Sequence, residues 1–307
     1  MEKVKEKKKG MPRLGARKVL HLLKQDGIYI GRDKFFELLR NNNMLVSKRK
    51  HKIYTTNSKH WLHKYPNLVE GLEVLKPNKL WVSDITYIVI DKSYAYLFLI
   101  TDAYSRKIIG HYLSETLEAD GGIEALRMAL SGVEWQKRVG MIHHSDRGVQ
   151  YCSHNYVKLL EDSKMLISMT QNGDPYENAL AERINGILKQ EWIHNETYQS
   201  FEQAKIRIAE IIEIYNTQRP HLSCDMLTPE QAHEGTGKLK KHWKKYNKKS
   251  SFNEKVFKAS KESMDKNKAE GNPPAHAILP DYSLSGCSSA EPNSASSGSQ
   301  IYKSVNK

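Results

Sequence analysis

The sequence predicts an α/β fold: a mixed five-stranded sheet flanked by helices and preceded by a small, strongly basic helical module. Three observations carry this. Residues 11–46 show short runs of helical periodicity studded with lysine and arginine; three consecutive segments from residue 78 switch to strand character; and from residue 118 helical and strand segments alternate.

The helical module comes first. In LGARKVLHLLKQDGIYIGRDKFFELLRNNNMLV, Val19, Leu20, Leu22 and Leu23 form one helical pattern that stops at Gly27, and Phe35, Phe36, Leu38 and Leu39 form a second. Arg13, Arg17, Lys18, Arg32, Lys34 and Arg40 decorate the two helices, and SKRKHK (47–52) follows. Such a pair suits a helix-turn-helix that meets DNA; the alternative is a hairpin that only packs on the next domain.

Composition narrows the class. The chain has 307 residues, 39% hydrophobic, with a mean hydropathy of −0.65, and no apolar run approaches the roughly 18 residues that cross a bilayer. The N-terminal MEKVKEKKKG has lysines but no apolar stretch behind them, so a secretory leader is not expected. Cys152, Cys224 and Cys287 have no CxxC spacing, which excludes a disulfide framework and a cysteine zinc site. The expected compartment is the cytoplasm.

Net charge is +13 and unevenly spread: +13 over residues 1–64, −8 over 65–235 and +8 over 236–307. Basic ends suit a polyanion, while an acidic middle suits chemistry that needs carboxylates. Two solvated tails on an ordinary domain would give the same numbers.

LWVSDITYIVI (80–90), YAYLFLIT (94–101) and KIIGHYL (107–113) read as an antiparallel meander, the first two strands joined across Asp91, Lys92 and Ser93. A helix at 118–130, a strand VGMIHH (139–144), a helix near 154–162, a strand MLISM (165–169) and a helix from about 175 to 193 follow. That order is the topology of an RNase H-like domain. A further helix at 200–216 opens with a Ser200-x-x-Gln203 capping box and is stopped by Pro220. The Ser-, Asn- and Lys-rich residues 250–307 are expected to be disordered. The divisions expected are 11–64, 76–235 and 236–307.

Three carboxylates stand out. Asp84 interrupts an apolar strand face made by Leu80, Val82, Thr86, Ile88 and Ile90, where a charge needs compensation. Asp146 lies in HHSDRGVQY, where the chain leaves a strand and Gly148 permits a tight bend. Glu182 sits on a helix expected to start at Asp174 as N-cap, with Pro175 first and Glu177 three after the cap. On that helix Leu180, Ile184, Ile187 and Leu188 make the buried stripe, and Asn178, Glu182, Asn185 and Lys189 share an arc on the far side. Individually each has a bland explanation: a paired edge-strand Asp, a turn-former and a solvated Glu.

The spacing joins them: 61 residues separate Asp84 from Asp146 and 35 separate Asp146 from Glu182. With LWVSDITY, HSDRGVQY, NALAERINGILKQE, YNTQRPH and TPEQA, the chain from about 11 to 233 resembles the OrfB-type transposases of the insertion sequence three (IS-three) family, whose core is of the retroviral integrase superfamily. The family's upstream DNA-binding and leucine-zipper segment has no match here, nor has the tail after about 240. The resemblance implies a DNA transposase that cleaves and joins strands at element ends. A non-catalytic DNA-binding regulator or inactive remnant is the alternative. A retroviral-type zinc module needs paired Cys, and none precedes Cys152; RNase H proper would not carry a basic helix pair.

By the same resemblance Asp84, Asp146 and Glu182 hold two Mg²⁺ ions, with Mn²⁺ able to substitute, Asp84 bridging. Ions about 3.5–4 Å apart activate the attacking oxygen and stabilise the leaving one in both hydrolysis and strand transfer. Phosphate contacts are expected from Lys189, seven residues after Glu182, from Arg183, and from Arg32, Lys34, Lys48 and Arg49. His143 and His144 read as packed strand-end residues, and Trp81, Tyr87 and Trp192 as core; no role for Arg219 and His221 follows from the sequence. Expected partners are the element's terminal inverted repeats, target DNA, further copies in a multimer and an upstream OrfA product or OrfAB fusion, in the bacterial cytoplasm with the nucleoid.

Overall fold

The computed structural model describes residues 1–47, 61–91, 93–171 and 178–242. Lys48, Arg49, the expected helix start at Asp174 and Pro175, and the tail from 250 lie outside these residues. Residues Met1–Lys244 form one compact unit.

Helices α1 (Glu2–Lys8), α2 (Ala16–Gln25) and α3 (Arg32–Asn41) precede the sheet. The first was not expected; it buries only Val4. Strands β1 (Leu80–Ile90), β2 (Ser93–Asp102) and β3 (Ile108–Ser114) form the meander, with Asp91 at φ 45° in the first turn. Then come α4 (Ala119–Ser131), α5 (Trp135–Arg138), β4 (Ile142–Ser145), α6 (His154–Asp162), β5 (Leu166–Met169), α7 (Ala179–Glu191), α8 (Phe201–Thr217) and α9 (Pro229–His233). The sheet runs β3-β2-β1-β4-β5. β1 is antiparallel to β2, as β2 is to β3, while β4 and β5 join in parallel. This is the expected RNase H-like mixed sheet.

Alternation along the strands sends residues to two faces. Trp81, Phe98 and Ile100 pack with Ile123, Leu126, Tyr156 and Leu160 of α4 and α6. The approach of α4 is close: a Cβ on Gly110 would lie 2.2 Å from the Ala125 carbonyl oxygen, and one on Gly121 2.4 Å from the Phe98 ring. On the opposite face Ile88, Ile90, Leu97 and Leu99 pack against Ile184, Ile187 and Leu188 of α7 and Ile208, Ile211 and Tyr215 of α8.

The N-terminal helices and the segment between the first two share this second core, contributing Leu14, Val19, Leu23, Phe35 and Leu39, each 3% exposed or less. At about 1.5–3 kcal/mol for each such side chain, apolar packing dominates what holds them to α7 and α8. Helix caps are partly as expected. Ser200 accepts from the Gln203 amide at 3.2 Å, but the Gln203 side chain reaches back to the amide of Gln199 rather than completing the box. The complete capping box belongs to Thr228 and Gln231 of α9.

Candidate active site

The sheet register brings the first two carboxylates side by side. Val82 of β1 pairs with His144 of the parallel β4, so two residues further along each chain stand Asp84, within β1, and Asp146, just past the end of β4. Adjacent strands lie about 4.8 Å apart, which is close for two negative charges. Asp84 is the fifth residue of the eleven in β1 and faces α7. Its Oδ2 accepts from the Asn185 side-chain amide at 2.7 Å and its Oδ1 from the Ile85 backbone amide at 2.9 Å.

Burial pushes the Asp84 carboxyl up to about 7; the charge of Asp146 adds to the rise, the two hydrogen bonds oppose it, and Glu182 adds a smaller push. Asp146 Oδ1 accepts from the Gly148 backbone amide at 2.9 Å. Gly148 lies in the expected bend after β4 without adopting a left-handed conformation; an added Cβ would lie 2.9 Å from that same oxygen, so the bend also needs its smallness beside the carboxylate. Glu182 is exposed, in the first turn of α7, and its pKa is raised by desolvation and by Asp146. Asp84, Asp146 and Glu182 are therefore within electrostatic reach of one another. Among the described residues no three His, Cys, Asp or Glu side chains already enclose a single ion site.

Helix α7 starts at Ala179 with Asn178 as its N-cap, later than expected. Its polar arc is not a solvated far side. Asn178 donates to the Ser83 carbonyl at 3.1 Å, Asn185 reaches Asp84, and the Lys189 ammonium lies 4.4 Å from the centre of the Tyr87 ring. The arc is a polar seam against β1, and the apolar stripe beside it packs on both the sheet and the helical layer, sharing one core with Ile88, Ile90, Leu97 and Leu99 and with α8. The helix is buried on two sides, and this explains the misjudged face. Lys189 is half-buried, its pKa lowered by desolvation against an opposing pull from Asp84; Arg183 is exposed.

His143 and His144 are core residues: His143 Nε2 meets Ser83 Oγ at 2.7 Å and Tyr156 OH at 2.9 Å, and burial lowers its pKa to about 3. His144 Nδ1 meets Ser168 Oγ at 2.8 Å. Trp81 and Trp192 are fully buried, whereas Tyr87 is half-buried under Lys189. In the basic module, Arg32 and Lys34 are exposed, Arg32 paired with Asp33 at 2.8 Å. Lys18 is not a surface decoration. It is 8% exposed and bridges Glu191 at 3.1 Å, while Arg219 grips the same carboxylate at 2.6 and 2.8 Å. Glu191 was missed in the sequence; the available signal was Lys18 standing beside Val19 and one turn before Leu22 on α2, a helix that packs inward.

Residues 75–175 match a family model described as integrase core domain, and residues 163–229 match a second with the same description. The chain is 34% identical over 217 residues to the insertion element IS600 uncharacterized 31 kDa protein of Shigella sonnei, spanning 70% of this chain and 79% of that one. It is 31% identical over 206 residues to the transposase for insertion sequence element IS629 of Shigella sonnei, spanning 67% and 68%. To transposase InsF for insertion sequence IS3A of Escherichia coli K12 it is 38% identical over 158 residues, spanning 50% and 54%. The chain belongs to the IS3-family transposases. Its core is of the retroviral integrase type, and the enzyme is a polynucleotidyl transferase. Among solved structures, the HTLV-2 integrase catalytic core domain in complex with magnesium aligns with 52% of this transposase and 99% of that domain, at 19% identity and a TM-score of 0.42. No helix among the described residues of the transposase is long and apolar enough to cross a membrane.

Proposed function

We propose that Asp84, Asp146 and Glu182 are the catalytic residues of strand cleavage and strand transfer at the ends of the transposase's own element. The observation that carries this is the convergence of Asp84 and Asp146, each two residues past the Val82–His144 pair, with Glu182 near enough to raise the proton affinity of Asp84 further.

The donor set fits a hard divalent cation. Asp84 and Glu182 are crowded with Asp146 at a cost to their own ionisation, and Asn178 Oδ1 and Asn185 Oδ1 are buried oxygens with no hydrogen-bond partner among the described residues. Asp84, Asp146 and Glu182 would hold two Mg²⁺ ions, or Mn²⁺ in their place, which when bound activate the attacking oxygen and stabilise the leaving one. The chain's own contribution is placement. Asn185 and the Ile85 amide fix both oxygens of Asp84, the Gly148 amide fixes Asp146, and exposed Glu182 closes the group from a rigid helix. Lys189 and Arg183 lie along the same helix for phosphate contacts, with Arg32, Lys34, Lys48 and Arg49 gripping DNA from residues 11–64. The substrates are the terminal inverted repeats and target DNA, and the working form is a multimer, with an OrfA product or OrfAB fusion as partner, in the cytoplasm at the nucleoid.

The test is Asp84→Asn, Asp146→Asn and Glu182→Gln, assayed on a duplex carrying the element end. Each is expected to abolish cleavage and joining while leaving end binding intact. Cleavage that survives any one substitution, or loss of DNA binding by a folded variant, overturns the assignment.

A further inference from the structure

Glu191 ends α7 nine residues after Glu182, which places it about 13.5 Å along the axis and on the opposite side of the helix. Two cations converge on it from distant parts of the chain: Lys18 of α2, and Arg219 just beyond α8. Arg219 is 2% exposed, binds both oxygens and lies 5.6 Å from the Tyr215 ring centre. One residue on, the Trp192 indole donates to the Gly10 carbonyl at 2.6 Å. The carboxyl end of the helix that carries Glu182 is thus tied twice to the N-terminal segment, at Lys18 and at Gly10.

The charge balance is unusual for a joint that only fills space. Arg219 alone satisfies Glu191, so Lys18 is a second buried cation in a cluster with one carboxylate, and exposed Arg183 adds further positive charge nearby. The environment disfavours its charge: burial, then Arg219, bring the Lys18 pKa down to about 7 despite the pull of Glu191. Packing would be served as well by an apolar side chain of the same length.

We propose that Glu191 is a positioning residue for strand transfer and that Lys18 is the joint through which the N-terminal helices hold it. With Arg219 they set the rotation and axial position of α7, and so where Glu182 and Asn185 meet Asp84. The proposal rests on the catalytic assignment of Asp84 and Glu182 made above. It accounts for a lysine of the basic module pointing inward, and it makes the module that grips DNA mechanically continuous with the catalytic helix.

Lys18→Met in the full chain separates the possibilities, because the two-pronged Arg219 contact remains. Expected are an unchanged or higher melting temperature, unchanged binding to an element-end duplex, and a fall in strand-transfer kcat on the order of tenfold with KM little changed. Backbone amide exchange is expected to quicken across residues 182–188 and not in β1 or β2, and Lys18→Arg to restore both kcat and protection. Wild-type exchange in α7 overturns the joint; a loss of kcat that merely follows a lower melting temperature and uniformly faster exchange reduces it to fold stability. Amide exchange needs no activity, so if the wild-type chain fails to join strands the catalytic assignment falls while α7 still decides the joint.

Discussion

The side-chain amide of Asn185 donates to Oδ2 of Asp84 at 2.7 Å, tying the helix of the third carboxylate to the strand of the first. The bond favours the ionised form of Asp84 against burial and the nearby acids. A hydrogen bond to a charged group is worth about 1.5–3 kcal/mol, or about one to two pKa units. Asn185→Leu is therefore expected to raise the metal-free pKa of Asp84 above about 7, read from the pH titration of its side-chain carboxyl carbon by NMR. A titration midpoint that stays in place would show the bond to be inconsequential.

The sign of the pH effect on stability follows from the same group. Asp84 is raised from 3.8 to about 7, so between those values the metal-free folded chain holds a proton that the unfolded chain has lost. Stability contributed by this group is greatest below about 4, declines as pH rises, and the penalty is complete above about 7. In the presence of chelator, Asp84→Asn is expected to melt higher than wild type at pH 8 and at the same temperature below pH 4. A variant less stable at pH 8 would mean that Asp84 is a paired structural carboxylate.

Much of this architecture is legible in the sequence because strands and spacing leave direct marks. The period-two run around Asp84 and the apolar run at 94–101 define β1 and β2 almost to the residue, and the 35-residue interval marks Asp146 and Glu182 as candidates to be taken together. What fails is knowledge of what packs where. Periodicity identifies the polar arc of α7 but cannot tell that a strand with its own carboxylate and an accepting carbonyl lies against it. Lys18 fails for the same reason: its partner Glu191 is 173 positions away, and the apolar neighbours on its own helix do not say what pairs with it. At Gly148 the sequence marks the bend but not the closeness of the Asp146 carboxylate, because glycine more often serves backbone freedom than proximity to a side chain.

Charge counting in the Glu191 cluster ranks three substitutions. Arg219→Met leaves Glu191 with Lys18 and a balanced pair. Glu191→Gln leaves two buried cations with no carboxylate, the worst of the three arrangements. Breaking a buried pair in this way costs about 3–5 kcal/mol, so Glu191→Gln is expected to lose at least that in denaturant unfolding, Arg219→Met less, and Lys18→Met least. Equal losses for Glu191→Gln and Lys18→Met would contradict the charge count.

The first 64 residues carry +13 and the catalytic stretch −8, yet part of the N-terminal charge is engaged within the chain: Lys18 is buried, and Arg13 donates to the Ser47 carbonyl at 2.6 Å at the surface. Arg32 and Lys34 remain exposed at the start of α3, with Lys48 and Arg49 following in the chain. The Arg32 pairing with Asp33 is at the surface, where such a pair is worth little and a phosphate can displace it. If each of the four neutralises one phosphate, changing all four to Ala is expected to reduce the slope of log binding constant against log salt by about four times 0.9. Substituting Lys18, which is hidden, is expected to leave that slope unchanged. An unaltered slope in the fourfold variant would assign DNA recognition elsewhere, to the lysines after residue 236 or to a partner chain, and would leave the N-terminal helices as a packed support for α7.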